Sequence, residues 1–225
     1  MYKRQGIKNA IKLASNENPL GPSPLAIDAV TKVLNGTNRY PDGNALRLKE
    51  CLSNKFKVDI NCLTIGNGSN DIIEFIARSF LSDKDSAIYS EHAFAVYPLV
   101  VQAVGAEGIE VPAIEYGHDL EEMLKAVKEN TKLVFIANPN NPTGTFLSPK
   151  EIESFLDSLD RNIIVLLDQA YFDYSSYNNK DISFDFIKNY PNVIISRSFS
   201  KAYGLAGARI GYGIGHENLI KICDC

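Results

Sequence analysis

Lys201 lies in the stretch "SFSKAYGLAGAR" (198–209), together with Ser198, Ser200 and Arg209, directly after the run "NVIISR". A lysine amine attacks a carbonyl carbon once its ammonium form is destabilised. Hydroxyls and a guanidinium are the donors that a phosphate wants. A surface lysine ordinarily stretches its stem over apolar neighbours and keeps its charge in water. Here the neighbours Ala202, Leu205, Ala206 and Ala208 are small and apolar, which weakens that reading.

Three other stretches have a comparable character. Asp168 ends the run "NIIVLLD" (162–168) and Tyr171 follows three residues on. A carboxylate at the end of an apolar run is costly unless a cation meets it, although it could equally cap a helix. The stretch "PNNPTG" (139–144) offers amides that hydrogen-bond without titrating, and an ordinary Asx turn accounts for it equally well. "GNGSND" (66–71) opens a helix behind two glycines, so the free N–H groups of that helix start suit an anion, although a capped helix start with no ligand is the commoner explanation of such a stretch. It falls short of the dinucleotide pattern GxGxxG, because Asp71 stands where the third glycine would be, although Glu91 follows about twenty residues on. Of the aromatic residues, Phe94, Tyr97, Tyr171 and Tyr203 fit a core, and Tyr97 reads as a plain core residue.

These residues need elements to hold them. Strand candidates are 86–90, 108–112, 132–138, 162–168, 192–198 and 208–214, with a short apolar stretch near Leu63–Ile65. Most are continuously apolar, as strands are when helices cover both faces of a parallel sheet. Between them lie helical patterns. Ser148-Pro149-Lys150-Glu151 is a capping box, followed by Ile152, Phe155, Leu156 and Leu159 on one face. Asp119 to Glu122 repeats the device ahead of Leu120, Met123, Leu124 and Val127, and Ile72, Ile73, Phe75, Ile76 and Phe80 make a third helix. "AFAVYPLVVQAVGA" from Ala93 reads as a buried helix; it is too short to span a bilayer and contains Pro98 and Gln102. The alternation predicts an α/β domain, a three-layer sandwich with a mostly parallel central sheet. In such sheets ligands bind beyond the carboxyl ends of the strands, where all four stretches fall. Residues 1–40 differ: the turn-rich "NENPLGPSP" (16–24) predicts an extended arm before a helix near 25–35, closed by Gly36.

Composition narrows the functions. With 23 basic and 27 acidic side chains the net charge is −4, which offers nucleic acid no electrostatic footprint and a membrane no cationic anchor. The start "MYKRQGIKNAIKLAS" lacks the apolar core of a signal peptide, so a cytoplasmic protein is expected. Cys51, Cys62, Cys223 and Cys225 show no CxxC pairing and no histidines at zinc spacing, so free thiols in a reducing compartment and no metal are expected. No GxSxG elbow points to a hydrolase.

One ligand uses all four strand ends. Pyridoxal 5'-phosphate carries a phosphate, an aldehyde that captures a lysine amine, a phenolic oxygen and a pyridine nitrogen that works best protonated. The blocks "KLASNENPLGPSP", "YPDG", "EHAFAVYP", "NPNNPTG", "DQAY" and "SFSKAYGLAGARIGY" together resemble the fold-type I aminotransferases, and among them the histidinol-phosphate aminotransferases, from Lys12 to about Leu219.

The resemblance implies that Lys201 captures the aldehyde and later moves a proton between Cα and the cofactor carbon. It implies that Asp168 pairs with the pyridine nitrogen, while Asn141 and Tyr171 bond the phenolic oxygen. Ser198, Ser200 and Arg209 would bind the phosphate with the N–H groups of Ser69 and Asn70, and Phe94 would stack on the ring. Tyr40 would reach the phosphate of a neighbouring subunit in a homodimer, and Asn16 and Glu17 would close over the substrate. The reaction implied moves an amino group between L-glutamate and imidazole-acetol phosphate. The same motifs serve an aromatic aminotransferase or a threonine-phosphate decarboxylase, and a non-catalytic cofactor-binding fragment is a further alternative. The resemblance divides the chain into an arm and helix (1–40) and a PLP-binding large domain (41–225), incomplete at its carboxyl end. It implies a missing C-terminal small domain, which in the family holds the arginines that orient the substrate carboxylate, so efficient transamination by these 225 residues is not expected. Gln169 stands where many aminotransferases have glutamate.

Overall fold

A computed structural model describes residues 11, 15–176, 181 and 183–224. The apolar runs form a seven-stranded sheet of β1 (Leu63–Gly66), β2 (Ser86–Ser90), β3 (Glu107–Val111), β4 (Thr131–Ala137), β5 (Ile164–Asp168), β6 (Val193–Ser198) and β7 (Gly211–Gly215). Its order is β1-β7-β6-β5-β4-β2-β3. Neighbours from β6 through to β3 run parallel, and β7 runs antiparallel to both β6 and β1. The carboxyl ends of β1, β4, β5 and β6 and the start of β7 therefore share one edge.

Alternate side chains of the central strands β2, β4, β5 and β6 enter two cores. Leu133, Phe135, Leu166 and Ile194 face one of them, with Ile72, Ile73 and Ile76 of α3 (Ser69–Phe80), Tyr97 and Val101 of α4 (Val96–Ala103) and Ile220 of α8 (Glu217–Cys223). Val134, Val165, Leu167 and Ile195 face the other. There they meet Leu52 of α2 (Leu46–Phe56), Met123 of α5 (Leu120–Lys125), Ile152, Phe155 and Leu156 of α6 (Pro149–Ser158), and Phe186 and Ile187 of α7 (Ser183–Asn189). The result is the expected three-layer α/β sandwich. Both cap signals form: Ser148 and Glu151 make the reciprocal capping box, and the Asp119 side chain accepts from the Glu122 N–H.

Several boundaries differ from expectation. The strand expected at 162–168 starts at Ile164, because the Asn162 N–H and side chain both bond Asp160 Oδ1 in a turn. The strand expected from 208 starts at Gly211, because a 3-10 turn at Ala206–Ala208 and a left-handed Arg209 (φ 53°) precede it. The apolar segment from Ala93 gives a helix that is only partly buried: Tyr97 and Val101 are inside, while Leu99 is 60% exposed.

In the amino-terminal region Ser23 caps α1 (Pro24–Val33), and none of the helix's residues is buried. The expectations that fall on residues 1–10, 12–14 and Cys225 lie outside the described residues. Cys223 is half-buried against the α3 face, and burial pushes its thiol up to about 11. No helix among the described residues is long and apolar enough to cross a membrane.

Candidate active site

The shared strand edge opens on a cavity of about 420 Å³. Its floor is Asp168, the last residue of β5, in register with Ala137 of β4 and Ser196 of β6. The period of two aims Asp168 at the α3–α4 side, with Leu166 and Ile164 behind it. The carboxylate is 5% exposed and no cation pairs with it among the described residues. Oδ1 accepts from Ser196 Oγ (3.0 Å) and from the Ala170 N–H (3.1 Å), and Oδ2 accepts from the Tyr97 hydroxyl (2.9 Å). Burial raises the carboxyl above the ordinary aspartate value, while the three donors hold it down against that rise. The Tyr97 hydroxyl is pushed well above the phenol range, first by burial and then by the Asp168 charge, so it serves as a donor. The expectation of a plain core aromatic is thus corrected. Tyr97 is fully buried and stacks on Phe135, but its oxygen belongs to the site.

On the cavity wall, Lys201 Nζ stands 5.5 Å above the centre of the Tyr171 ring and donates to the Ser15 carbonyl (2.9 Å). The turn that carries it is bonded to the arm, since Asn18 Nδ2 donates to the Ala202 carbonyl (3.0 Å). A Cβ on Gly204 would stand 2.5 Å from the Gly21 carbonyl, so glycine is required for that contact. Asn16 Nδ2 donates to the Tyr171 hydroxyl (2.9 Å) and Glu17 lines the cavity.

The residues expected to bind an anion lie toward the β1–β7 end. Gly68 (φ 91°) precedes α3 with no side-chain cap, so the first N–H groups of that helix stay available. Asp71 turns back instead and accepts from the Asn67 N–H (2.9 Å). Arg209 is fixed by donating to the carbonyls of Asn67 (2.7 Å) and Ala206 (3.1 Å). Gly211 lets β7 approach this helix start; a Cβ there would be 2.4 Å from the Ser69 nitrogen. Ser198 and Ser200 are buried, with the Ser200 N–H donating to Ser198 Oγ (3.0 Å). All five side-chain and helix-start residues of this set (Ser69, Asn70, Ser198, Ser200 and Arg209) line the cavity, as do Phe94 and Asn141.

The three asparagines of the loop after β4 divide their work. Asn138 exchanges two bonds with Leu147, and Asn140 Nδ2 donates to the His92 carbonyl (2.7 Å) and to Thr143 Oγ1 (2.8 Å). Those two pin the loop and leave Asn141 on the cavity. Tyr40 is fully exposed and is not part of the cavity wall.

Gln169, one residue past Asp168, points to the opposite face. Its Oε1 accepts from Arg197 Nε (3.1 Å) and Nη2 (2.8 Å), and its Nε2 donates to Ser183 Oγ (2.8 Å). Arg197 also pairs with Asp181 (2.7 Å) and stacks on Phe172 (4.5 Å).

The cavity has the donor set for one elongated ligand. It combines an amine for a carbonyl, a buried carboxylate for a protonated nitrogen, neutral donors for an oxygen anion, and serines, arginine and a helix start for a phosphate.

A family model, aminotransferase class I and II, matches residues 8–224. "Histidinol-phosphate aminotransferase 1" of Idiomarina loihiensis is 51% identical over 224 residues, which cover 100% of this chain and 61% of that relative. The protein of the same name from Nitrosococcus oceani is 52% identical over 224 residues, again 100% of this chain and 60% of the relative. A crystal structure of histidinol-phosphate aminotransferase from Sinorhizobium meliloti in complex with pyridoxal-5'-phosphate matches with a TM-score of 0.93 at 30% identity, over 99% of this chain and 60% of that one. The chain spans about three-fifths of the length of the curated relatives it matches.

Proposed function

The chain belongs to the aminotransferase class I and II family, and from that membership we propose that it is the cofactor-binding part of a histidinol-phosphate aminotransferase. The reaction would be pyridoxal-phosphate-dependent transfer of an amino group between L-glutamate and imidazole-acetol phosphate, in the cytoplasm. The observation that carries the reading is a buried carboxylate, Asp168, with no cation partner among the described residues, on the floor of the cavity that Lys201 also lines. The choice of acceptor is supported by relatives at about half identity that bear that name.

Pyridoxal phosphate supplies an aldehyde that condenses with amines and a ring that takes up the negative charge left when Cα loses its proton. The residues present fit such a group. Asp168 would hold the ring nitrogen protonated, and its remaining acceptor capacity suits that N–H. Asn141 and Tyr171 would face the phenolic oxygen, and Phe94 would pack against the ring. Ser198, Ser200, Arg209 and the N–H groups of Ser69 and Asn70 would bind the phosphate. The Lys201 amine would take the aldehyde and then carry the proton as general base and acid. Asn16, through Tyr171, and Glu17 would close the arm over the substrate. Tyr40, fully exposed, would reach the phosphate of a second subunit in a homodimer.

The test is a half-reaction. The chain loaded with pyridoxal phosphate is given L-glutamate, and 2-oxoglutarate and the absorbance of the cofactor are followed. One equivalent of 2-oxoglutarate per site, followed by histidinol phosphate when imidazole-acetol phosphate is added, is expected for a competent site. Bound cofactor that yields 2-oxoglutarate but never histidinol phosphate would reject the proposed acceptor. Bound cofactor that glutamate leaves unchanged would reject transamination by this chain.

A further inference from the structure

Of the three donors on the Asp168 carboxylate, two come from the sheet edge itself, Ser196 and the Ala170 N–H. The third, the Tyr97 hydroxyl, comes from helix α4, 71 residues away in sequence. Its ring is immobilised: it is 0% exposed, lies 4.7 Å from the Phe135 ring at 14°, and meets Phe94 edge-on at 5.9 Å and 89°. A residue needed here only to fill the core has no use for an oxygen, since a hydroxyl at this depth is unfavourable unless bonded. A carboxylate oxygen accepts about two hydrogen bonds. Oδ1 already has two donors and Oδ2 has one, so Oδ2 keeps a free acceptor position on a carboxylate that lines the cavity.

We propose that Tyr97 is a positioning residue for the cofactor: its hydroxyl fixes the rotation of the Asp168 carboxylate and turns the free acceptor position of Oδ2 toward a protonated ring nitrogen in the cavity. Tyr97 touches no part of the ligand in this role and acts only through Asp168. The inference rests on the reading of the cavity as a pyridoxal phosphate site.

The experiment compares dissociation constants for pyridoxal phosphate and for its analogue in which CH replaces the ring nitrogen. Four proteins are titrated: the wild type, Tyr97→Phe, Asp168→Asn and the double variant. Phenylalanine keeps the stacked ring, and unchanged near-ultraviolet dichroism checks the packing. Tyr97→Phe is expected to weaken pyridoxal phosphate about tenfold while changing the analogue by less than about twofold. In the Asp168→Asn background the same substitution is expected to add less than about twofold. Equal losses for both compounds, or an undiminished loss in the Asp168→Asn background, would reduce Tyr97 to a packing residue and overturn the proposal. An unchanged pyridoxal phosphate affinity in Tyr97→Phe would also overturn it. Failure of the wild type to bind pyridoxal phosphate would instead strike the reading of the cavity, and the inference with it.

Discussion

Asp168 and Gln169 are neighbours at the end of β5, yet each sits at the centre of a different buried polar cluster. On the Gln169 face, Arg197 is matched by Gln169, Asp181 and the Phe172 ring, and Ser183 closes the set. On the Asp168 face, three neutral donors surround a carboxylate that no described cation meets. The first cluster also borders a cavity, lined by Arg197, Asp181 and Phe172, but its guanidinium already has a carboxylate and an amide oxygen as partners. The second keeps spare acceptor capacity and opens on a cavity. A buried polar group whose partners are all present holds the fold together. One left incomplete beside an opening is poised for a ligand.

The largest effect that separates the two faces comes from Arg197→Ala. It leaves the Asp181 carboxylate, whose side chain is 19% exposed, without its partner. A loss of about 3–5 kcal/mol is expected, read as a lower urea midpoint, with the pyridoxal phosphate affinity of the folded protein changed less than about threefold. If cofactor binding collapsed while the protein stayed folded, the division between the faces would fail.

Asp168→Asn tests the opposite face. Cofactor binding is expected to weaken by about 2–4 kcal/mol, measured by titration. Stability should not fall. Burial raises the Asp168 carboxyl, so the folded chain binds that proton more tightly than the unfolded chain does. The stability this group contributes is therefore lost as pH rises from the ordinary aspartate value through the raised one. Cofactor-free Asp168→Asn should melt no lower than the wild type at neutral pH, and the difference should close in acid. A lower melting temperature at neutral pH would contradict the account.

Gly211→Ala acts on the cavity side without touching the carboxylate. The new Cβ would stand 2.3 Å from the Gly68 carbonyl carbon and 2.4 Å from the Ser69 nitrogen, both backbone atoms. A loss of about 1–3 kcal/mol in stability is expected, with weaker competition by inorganic phosphate for the cofactor site. Unaltered phosphate competition would detach this helix start from the phosphate. The smallest effect is expected from Gln169→Glu, which puts a carboxylate where Arg197 already has Asp181. Stability should change by less than about 1 kcal/mol and cofactor affinity not at all, as chemical unfolding and titration would report.

The strand ends were legible because the strands are continuously apolar, so Asp168, Lys201 and the loop after β4 stood out where the runs stop. What could not be read was pairing across the sheet. The Tyr97 hydroxyl meets its carboxylate only once α4 is laid over β4 and β5, and nothing in "AFAVYP" marks that oxygen as different from a core phenol. Gln169 reads in the sequence only as a departure from the family's glutamate; the period of two turns it away from Asp168's side to Arg197. The loop has three asparagines with the same chemistry; the resemblance singles out Asn141, and the fold supplies the reason, since the other two are consumed in holding the loop. The start of β7 was misplaced because a left-handed Arg209 leaves no mark in an apolar run.

The central claim is that Lys201 is the amine that meets the cofactor's aldehyde. The chain is incubated with pyridoxal phosphate, reduced with borohydride and digested, and the pyridoxyl-bearing lysine is identified by mass spectrometry. The account predicts near-stoichiometric label on Lys201 and its loss in Lys201→Ala. Label scattered over surface lysines, or none at all, would contradict it.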